Sequence, residues 1–294
     1  MRARHRGNVW VGPAGWAYKD WNGIVYPVKR PKGFSPVRYL SQFFDTIEIN
    51  SSFYGPPTPS TAKKWIEESS DNARFLFTAK LWRVFTHEFE LTSANEAEFR
   101  PGMEALRDNG KLGALLIQFP WSFKNEPERQ SYLDRLCKRF ADFPLVVEVR
   151  HASWNQPAFF EWLVERGIGI ANIDQPLFHR SIKPDHSATT HIGYVRLHGR
   201  NYQQWWVEQD RKQPLERYNY LYSVDELEPW VDRIRTVAAK TEKTFAVTNN
   251  HNLGKAVVNA AEIESLLEGG PVEVPASVVE KYPRLREIAK CGAR

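Results

Sequence analysis

Three carboxylates, three basic side chains and two histidines in this sequence stand where chemistry could be done. Glu48 lies in FDTIEINSSFYG (43–54), where Thr46, Glu48 and Asn50 alternate with Ile47 and Ile49. In a strand that alternation puts a hydroxyl, a carboxylate and an amide on one face. The same polar ending recurs at Thr78 and Lys80, at Gln118, at Glu148 and Arg150, and at Asn172 and Asp174. It recurs again at Arg196 and His198 and at Asn249, Asn250 and His251. Glu48, Glu148 and Asp174 are candidate general bases, and His198 and His251, which titrate near neutrality without tuning, are the favoured proton donors. Lys80, Arg150 and Arg196 would hold negative charge on a substrate. Asn50, Tyr54, His87, Gln118, Trp154, Arg200, Asn201, Asn249 and Asn250 complete the candidate binding set.

These residues sit at the ends of segments that read as strands near 8–12, 45–50, 74–80, 112–118, 144–149, 168–174, 192–198 and 244–250. Eight strands alternating with helices predict an α/β fold with a parallel sheet, and eight is the number that closes a TIM-type barrel. In such a barrel the C-terminal strand ends converge on one mouth, so the seven polar endings predict a lined pocket rather than a surface edge. Thr58-Pro59, Asn155, and Ser223 with Glu226 are the expected helix starts, and Gly167 an expected stop. Residues 175–191 carry no helical period, so the helix after strand six is expected to be missing. Residues 199–222, with Trp205 and Trp206, form a long loop expected to act as a mobile lid. Trp154, Trp205 and Trp206 are set to stack a ring, with packing an equal alternative; Trp16, Trp21, Trp65 and Trp162 are assigned to core or rim packing.

The organisation expected is a basic leader over 1–7, one barrel domain over 8–270 and a C-terminal extension over 271–294. The chain has 294 residues, with 42% hydrophobic and 26% charged, as in globular proteins. No apolar run approaches the length of a membrane span, and two cysteines, Cys137 and Cys291, give neither a disulfide framework nor a zinc spacing. A cytoplasmic location without a membrane partner is the simplest expectation. The net charge of +5 is concentrated in the two ends, leaving the body close to neutral. Nucleic acid is therefore only weakly supported as a partner.

Together the stretches GWAYKDWNGIVYP (15–27), EINSSFY (48–54), FTAKLWRVFTH (77–87), LLIQFPWSF (115–123), VEVRHASW (147–154), YVRLHGRN (194–201) and NNHNLGKAVVNA (249–260) resemble the DUF72, or YecE-like, family. The resemblance runs in order from about residue 8 to 267. It implies a TIM-like barrel with a polar pocket at the strand C-termini and supplies no reaction. Ala14 departs from the hydroxyl residue usual before Gly-Trp, so any ligand contact by that hydroxyl is absent.

Three functions fit these residues. The favoured one is an enzyme for a phosphate-bearing or other anionic substrate, phosphodiester hydrolysis being one such reaction. The loops after strands seven and eight supply Arg200, Asn201 and a Gly254-Lys255 helix start for the anion, with a plain turn and a solvated lysine equally compatible. Metal-assisted hydrolysis or isomerisation could use Glu48, Glu148, Asp174, His198 and His251, but Lys80, Arg150 and Arg196 would oppose a divalent cation. No cofactor is assigned, and metal is not favoured. A non-enzymatic sensor of a small anion or sugar is the third.

Overall fold

In the computed structural model, which describes residues 7–205 and 216–290, eight parallel strands form a nearly closed barrel. They are β1 Val9–Pro13, β2 Thr46–Ile49, β3 Leu76–Lys80, β4 Leu112–Gln118, β5 Leu145–Glu148, β6 Gly169–Asp174, β7 Ile192–Leu197 and β8 Lys243–Thr248. Helices α1 (Pro36–Ser41), α2 (Pro59–Glu68), α3 (Arg83–Thr86), α4 (Ser93–Asp108), α5 (Pro127–Arg139), α6 (Pro157–Glu165), α7 (Val224–Ala238) and α8 (Lys255–Glu268) connect or follow them, and α9 (Ala276–Lys281) lies in the tail. Residues 175–191 form no helix, so the β6–β7 connection is irregular, as the missing period predicts.

Local sequence sets the boundaries. Thr58 accepts the Thr61 N–H at 3.1 Å with Pro59 in the first turn of α2, and Ser223 and Glu226 form a reciprocal capping box on α7. α6 begins one residue later than Asn155 would place it. Gln156 is its cap residue, and Pro157, with φ already fixed for a helix, takes the first helical position. Gly167 then supplies the left-handed stop at φ 63°.

Side chains of alternate strand residues fill the barrel. Its lower interior is apolar: Trp10, Ala114, Leu116, Val146, Ala171, Ile173, Ile192, Tyr194, Phe245 and Val247 form one buried cluster. A second, larger cluster lies between strands and helices, and Val272, Val278 and Leu285 of the tail pack into it.

The sheet runs β1-β8-β7-β6-β5-β4-β3-β2, and its ends β1 and β2 meet through a single bridge, Ala14 to Glu48. The Gly15 N–H donates to the Glu48 carbonyl there at 2.8 Å. Gly12 permits this seam, because a Cβ on it would stand 1.8 Å from the Thr46 carbonyl oxygen. Backbone cannot yield as a side chain can, so Gly12→Ala should cost about 3 kcal/mol, the upper range for overpacking. Urea unfolding measures it, and a cost below about 1 kcal/mol would mean that the seam is slack.

Candidate functional site

Above the apolar layers the interior turns ionic. Arg196 from β7, fully buried, donates from Nε and Nη2 to the two oxygens of Glu48 at 2.8 and 2.6 Å. Its Nη1 donates to Glu148 Oε2 at 2.8 Å and to Gln118 Oε1 at 3.2 Å. Glu148 Oε1 also accepts from Arg150 Nε at 3.0 Å and lies 2.9 Å from Arg150 Nη2. The Tyr194 hydroxyl is 2.9 Å from Glu48 Oε2 and 2.8 Å from Thr78 Oγ1. Burial would raise the Glu148 carboxyl, yet Arg196, His198 and Arg150 hold it well below the usual range. This plate of two carboxylates and two guanidiniums has no net charge.

His198 completes the plate as a neutral ring. Its Nε2 lies 3.2 Å from Glu148 Oε1 and its Nδ1 3.0 Å from Asn249 Nδ2, which suits a proton on Nε2 and an acceptor at Nδ1. Burial lowers its pKa to about 3, with Arg150 and Arg196 adding to the effect against Glu148. His251 is likewise lowered to about 4 by burial. The expectation that either histidine donates protons near neutrality therefore does not hold: desolvation takes both out of that window.

Lys80, at the end of β3, is the exception in this assembly. It is 9% exposed, and its Nζ sits 4.0 Å from the centroid of the Phe53 ring. Among the described residues Nζ has no hydrogen-bond acceptor and no carboxylate within salt-bridge distance, because Glu48 and Glu148 are engaged by the arginines. Burial first, then Arg196, lowers its pKa to about 7. The Phe53 face attracts an ammonium by only about 0.5–2 kcal/mol, which burial outweighs.

Lys80 opens on a cavity of about 440 Å³ walled by Trp16, Tyr18, Tyr54, Trp65, Tyr218 and His251, with Asn50, Ser51 and Asn249 among its polar groups. Tyr18 stacks on His251 at 4.2 Å, nearly parallel, and Tyr218 lies 5.3 Å from the same ring. Asn50 donates to the Tyr18 hydroxyl at 3.1 Å, and its buried Oδ1 has no partner. The cavity thus presents a free amine and aromatic faces. His87, edge-on to Phe53 at 5.0 Å, stands beside Lys80 with its pKa lowered to about 4 by burial and by Lys80.

Glu48, Lys80, Gln118, Glu148, Arg150, Arg196, His198 and Asn249 come together at this mouth; several other candidates do not. Asp174 is held by Arg200 at 2.8 and 3.0 Å and by the Tyr222 hydroxyl at 2.5 Å, facing away from the plate. Its inward neighbours on β6 are Ala171 and Ile173. Arg200 is spent on Asp174 and Glu226, and Asn201 donates to the Glu216 and Asn219 carbonyls, so both brace the loop. Asn250 donates to the Tyr220 carbonyl and to Asn259 Oδ1 on α8. Trp154 is core: it is buried against Phe123 and Phe159, and its N–H donates to the Phe123 carbonyl. Arg196 has its Nε, Nη1 and Nη2 engaged by Glu48, Glu148 and Gln118, so it holds the two carboxylates in place.

The phosphate reading of the β8–α8 turn also loses its free donors. The Leu253 N–H is taken by Asp20 Oδ2 at 2.5 Å, and Lys255 Nζ donates to Asn219 Oδ1. Asp174 and His251 stand apart from the two glutamates, and among the described residues no group of three or more His, Cys, Asp or Glu side chains could hold a metal. Trp205 is buried edge-on to His198 at 6.4 Å, while the central part of the expected lid, including Trp206, lies outside the described residues, as do residues 1–6 of the leader and Cys291. No described helix is long and apolar enough to cross a membrane. Tyr18, Tyr218 and Phe53 were missed as site residues. Tyr18 and Phe53 lie inside GWAYKDWNGIVYP and EINSSFY, and those shared stretches were their one signal.

An eight-stranded parallel barrel with an ionic plate under an aromatic pocket defines a TIM-type barrel protein with a polar and aromatic pocket at the strand C-termini. The chain matches the model of "Protein of unknown function DUF72" over residues 10–282, and it belongs to that family. It is 28% identical over 272 residues to UPF0759 protein YunF of Bacillus subtilis, spanning 88% of this chain and 95% of YunF. UPF0759 protein YecE of Escherichia coli O157:H7 is 24% identical over 192 residues, 64% of each chain. The crystal structure of a DUF72 family protein from Thermotoga maritima aligns with a TM-score of 0.76 at 29% identity, covering 88% of this chain and 99% of that one. A DUF72 family protein from Enterococcus faecalis shares the fold, with a TM-score of 0.75 at 20% identity over 88% of this chain and 95% of its own.

Proposed function

We propose that this protein is an enzyme for a small, ring-bearing anion, which enters the aromatic pocket and places its negative group against Lys80. The observation that carries the reading is the Lys80 amine, nine-tenths buried at the cavity wall with no acceptor of its own among the described residues. The plate beneath is balanced, so a protonated Lys80 adds one uncompensated positive charge that a monoanion neutralises. The Tyr18, His251 and Tyr218 rings offer faces for a planar group.

Dialysed protein exposed to a metabolite mixture should retain an anionic compound identifiable by mass spectrometry, and Lys80→Met should retain none of it. Release of a chemically altered compound supports an enzyme, whereas release unchanged favours a binding protein. Affinity for the retained anion should fall about tenfold per pH unit above the titration of Lys80 near pH 7. Retention that survives Lys80→Met undiminished would refute the reading.

A further inference from the structure

We propose that Lys80 acts as a nucleophile and captures the carbonyl carbon of an anionic aldehyde or ketone as an imine, which makes the substrate class of the pocket a small carbonyl compound carrying a carboxylate or phosphate. The inference rests on the anion reading above and narrows it. A lysine that only attracts an anion does best fully protonated, with a carboxylate nearby to keep it so. This site is built the other way. Two arginines claim the oxygens of Glu48 and Glu148, and an aromatic face lies under Nζ where an acceptor would otherwise be. Arginine stays charged under all these conditions, so the cost of a third cation falls on the lysine. The result is a buried amine, free of partners, at the wall of a cavity large enough for a metabolite. Desolvation beside other cations is a recognised way to obtain a nucleophilic amine at neutral pH.

The step balances with water as the only by-product. The amine lone pair forms a bond to the carbonyl carbon, and the π pair of the C=O moves to oxygen. A proton passes from nitrogen to that oxygen, giving a carbinolamine. Solvent at the open mouth supplies a second proton to the hydroxyl, the C–O bond breaks and water leaves. The nitrogen lone pair then closes a C=N bond, so that nitrogen carries the one positive charge an ammonium would have carried. The anionic group of the substrate compensates it, and the plate keeps its balance.

The test treats the full chain at pH 7 with glyoxylate and cyanoborohydride, followed by peptide mapping. An ordinary lysine, titrating near 10.4, has about 10³-fold less free amine at pH 7 than one titrating near 7. Reduced adduct should therefore collect on Lys80 tens of times faster than on exposed lysines, and Lys80→Arg should abolish that fast phase. Glycolate, the same anion without a carbonyl, should slow trapping and shift the Lys80 ε-carbon resonance. Adducts spread over exposed lysines with Lys80 untouched would overturn the imine. If glycolate still shifted the Lys80 resonance in that case, the anion reading would stand alone; if neither glycolate nor benzoate, a carboxylate on a ring, shifted it, both would fall. An adduct on Lys80 that excess glycolate cannot compete would overturn the anionic substrate class.

Discussion

Arg196→Met should cost about 3–5 kcal/mol of stability at pH 8, the range for removing one partner of a buried ion pair. Arg196 is fully buried and ties Glu48 to Glu148 across the barrel, so methionine would leave Glu48 with only the Tyr194 hydroxyl and Glu148 with Arg150. In the native protein Glu148 is held below the ordinary carboxyl range, so it contributes stability above that range, lost as pH falls through its folded pKa. In the variant the carboxylate left without a cation is buried, and a buried carboxyl prefers its proton. Its contribution then has the opposite sign: stability is present at low pH and lost as pH rises. The gap between the two proteins should therefore narrow by more than about 1 kcal/mol between pH 8 and pH 5. Urea unfolding at both values measures it. Should the variant fail to accumulate, Arg196→Lys keeps the charge and forfeits the bidentate contact, and it should show a smaller loss with little pH dependence. Near-native stability of Arg196→Met at pH 8 would mean that the plate is not what organises the barrel interior.

The barrel was legible because each strand carries its own signature. All eight predicted segments overlap observed strands, and the missing helix over 175–191 showed as a missing period. Polar strand ends located the mouth, but position along a strand is only half the information. The other half is phase. Arg196 and His198 share a face with Tyr194, and Asn249 shares one with Phe245 and Val247. Asp174 and Asn250 are one residue out of step with the inward sets Ala171 and Ile173, and Phe245 and Val247. Period-two counting from those apolar residues excludes both. Two features were not available from counting. Which cations are taken up depends on contacts between strands far apart in sequence, such as Arg196 with Glu48. The histidines lost their neutral-pH role through burial, which residue type alone does not reveal.

Lys80→Met should make the protein more stable at pH 7, by roughly 2–4 kcal/mol. An unfolded chain titrates this amine near 10.4, whereas the folded protein lowers it to about 7. Between those values the unfolded chain binds a proton that the folded chain refuses. Stability is thus intact above pH 10.4 and is lost as pH falls toward 7, at about 1.4 kcal/mol per unit. Methionine removes the titration and keeps an unbranched apolar stem against Phe53. Its advantage should shrink as pH rises, becoming small by about pH 10. Urea unfolding at pH 7 and pH 9.5 supplies both numbers. A variant less stable than the native protein at pH 7, or one whose advantage ignores pH, would mean that the amine is solvated or paired in solution and titrates as an ordinary lysine. The expected result carries more than a stability value. A buried, partnerless lysine is a standing cost to the fold, of the kind that functional sites keep and packing alone would discard. If the same substitution raises stability and abolishes retention of the anion, the cost and the chemistry belong to one nitrogen atom. That pairing would separate Lys80 from its neighbours Arg150 and Arg196, whose loss should weaken the fold.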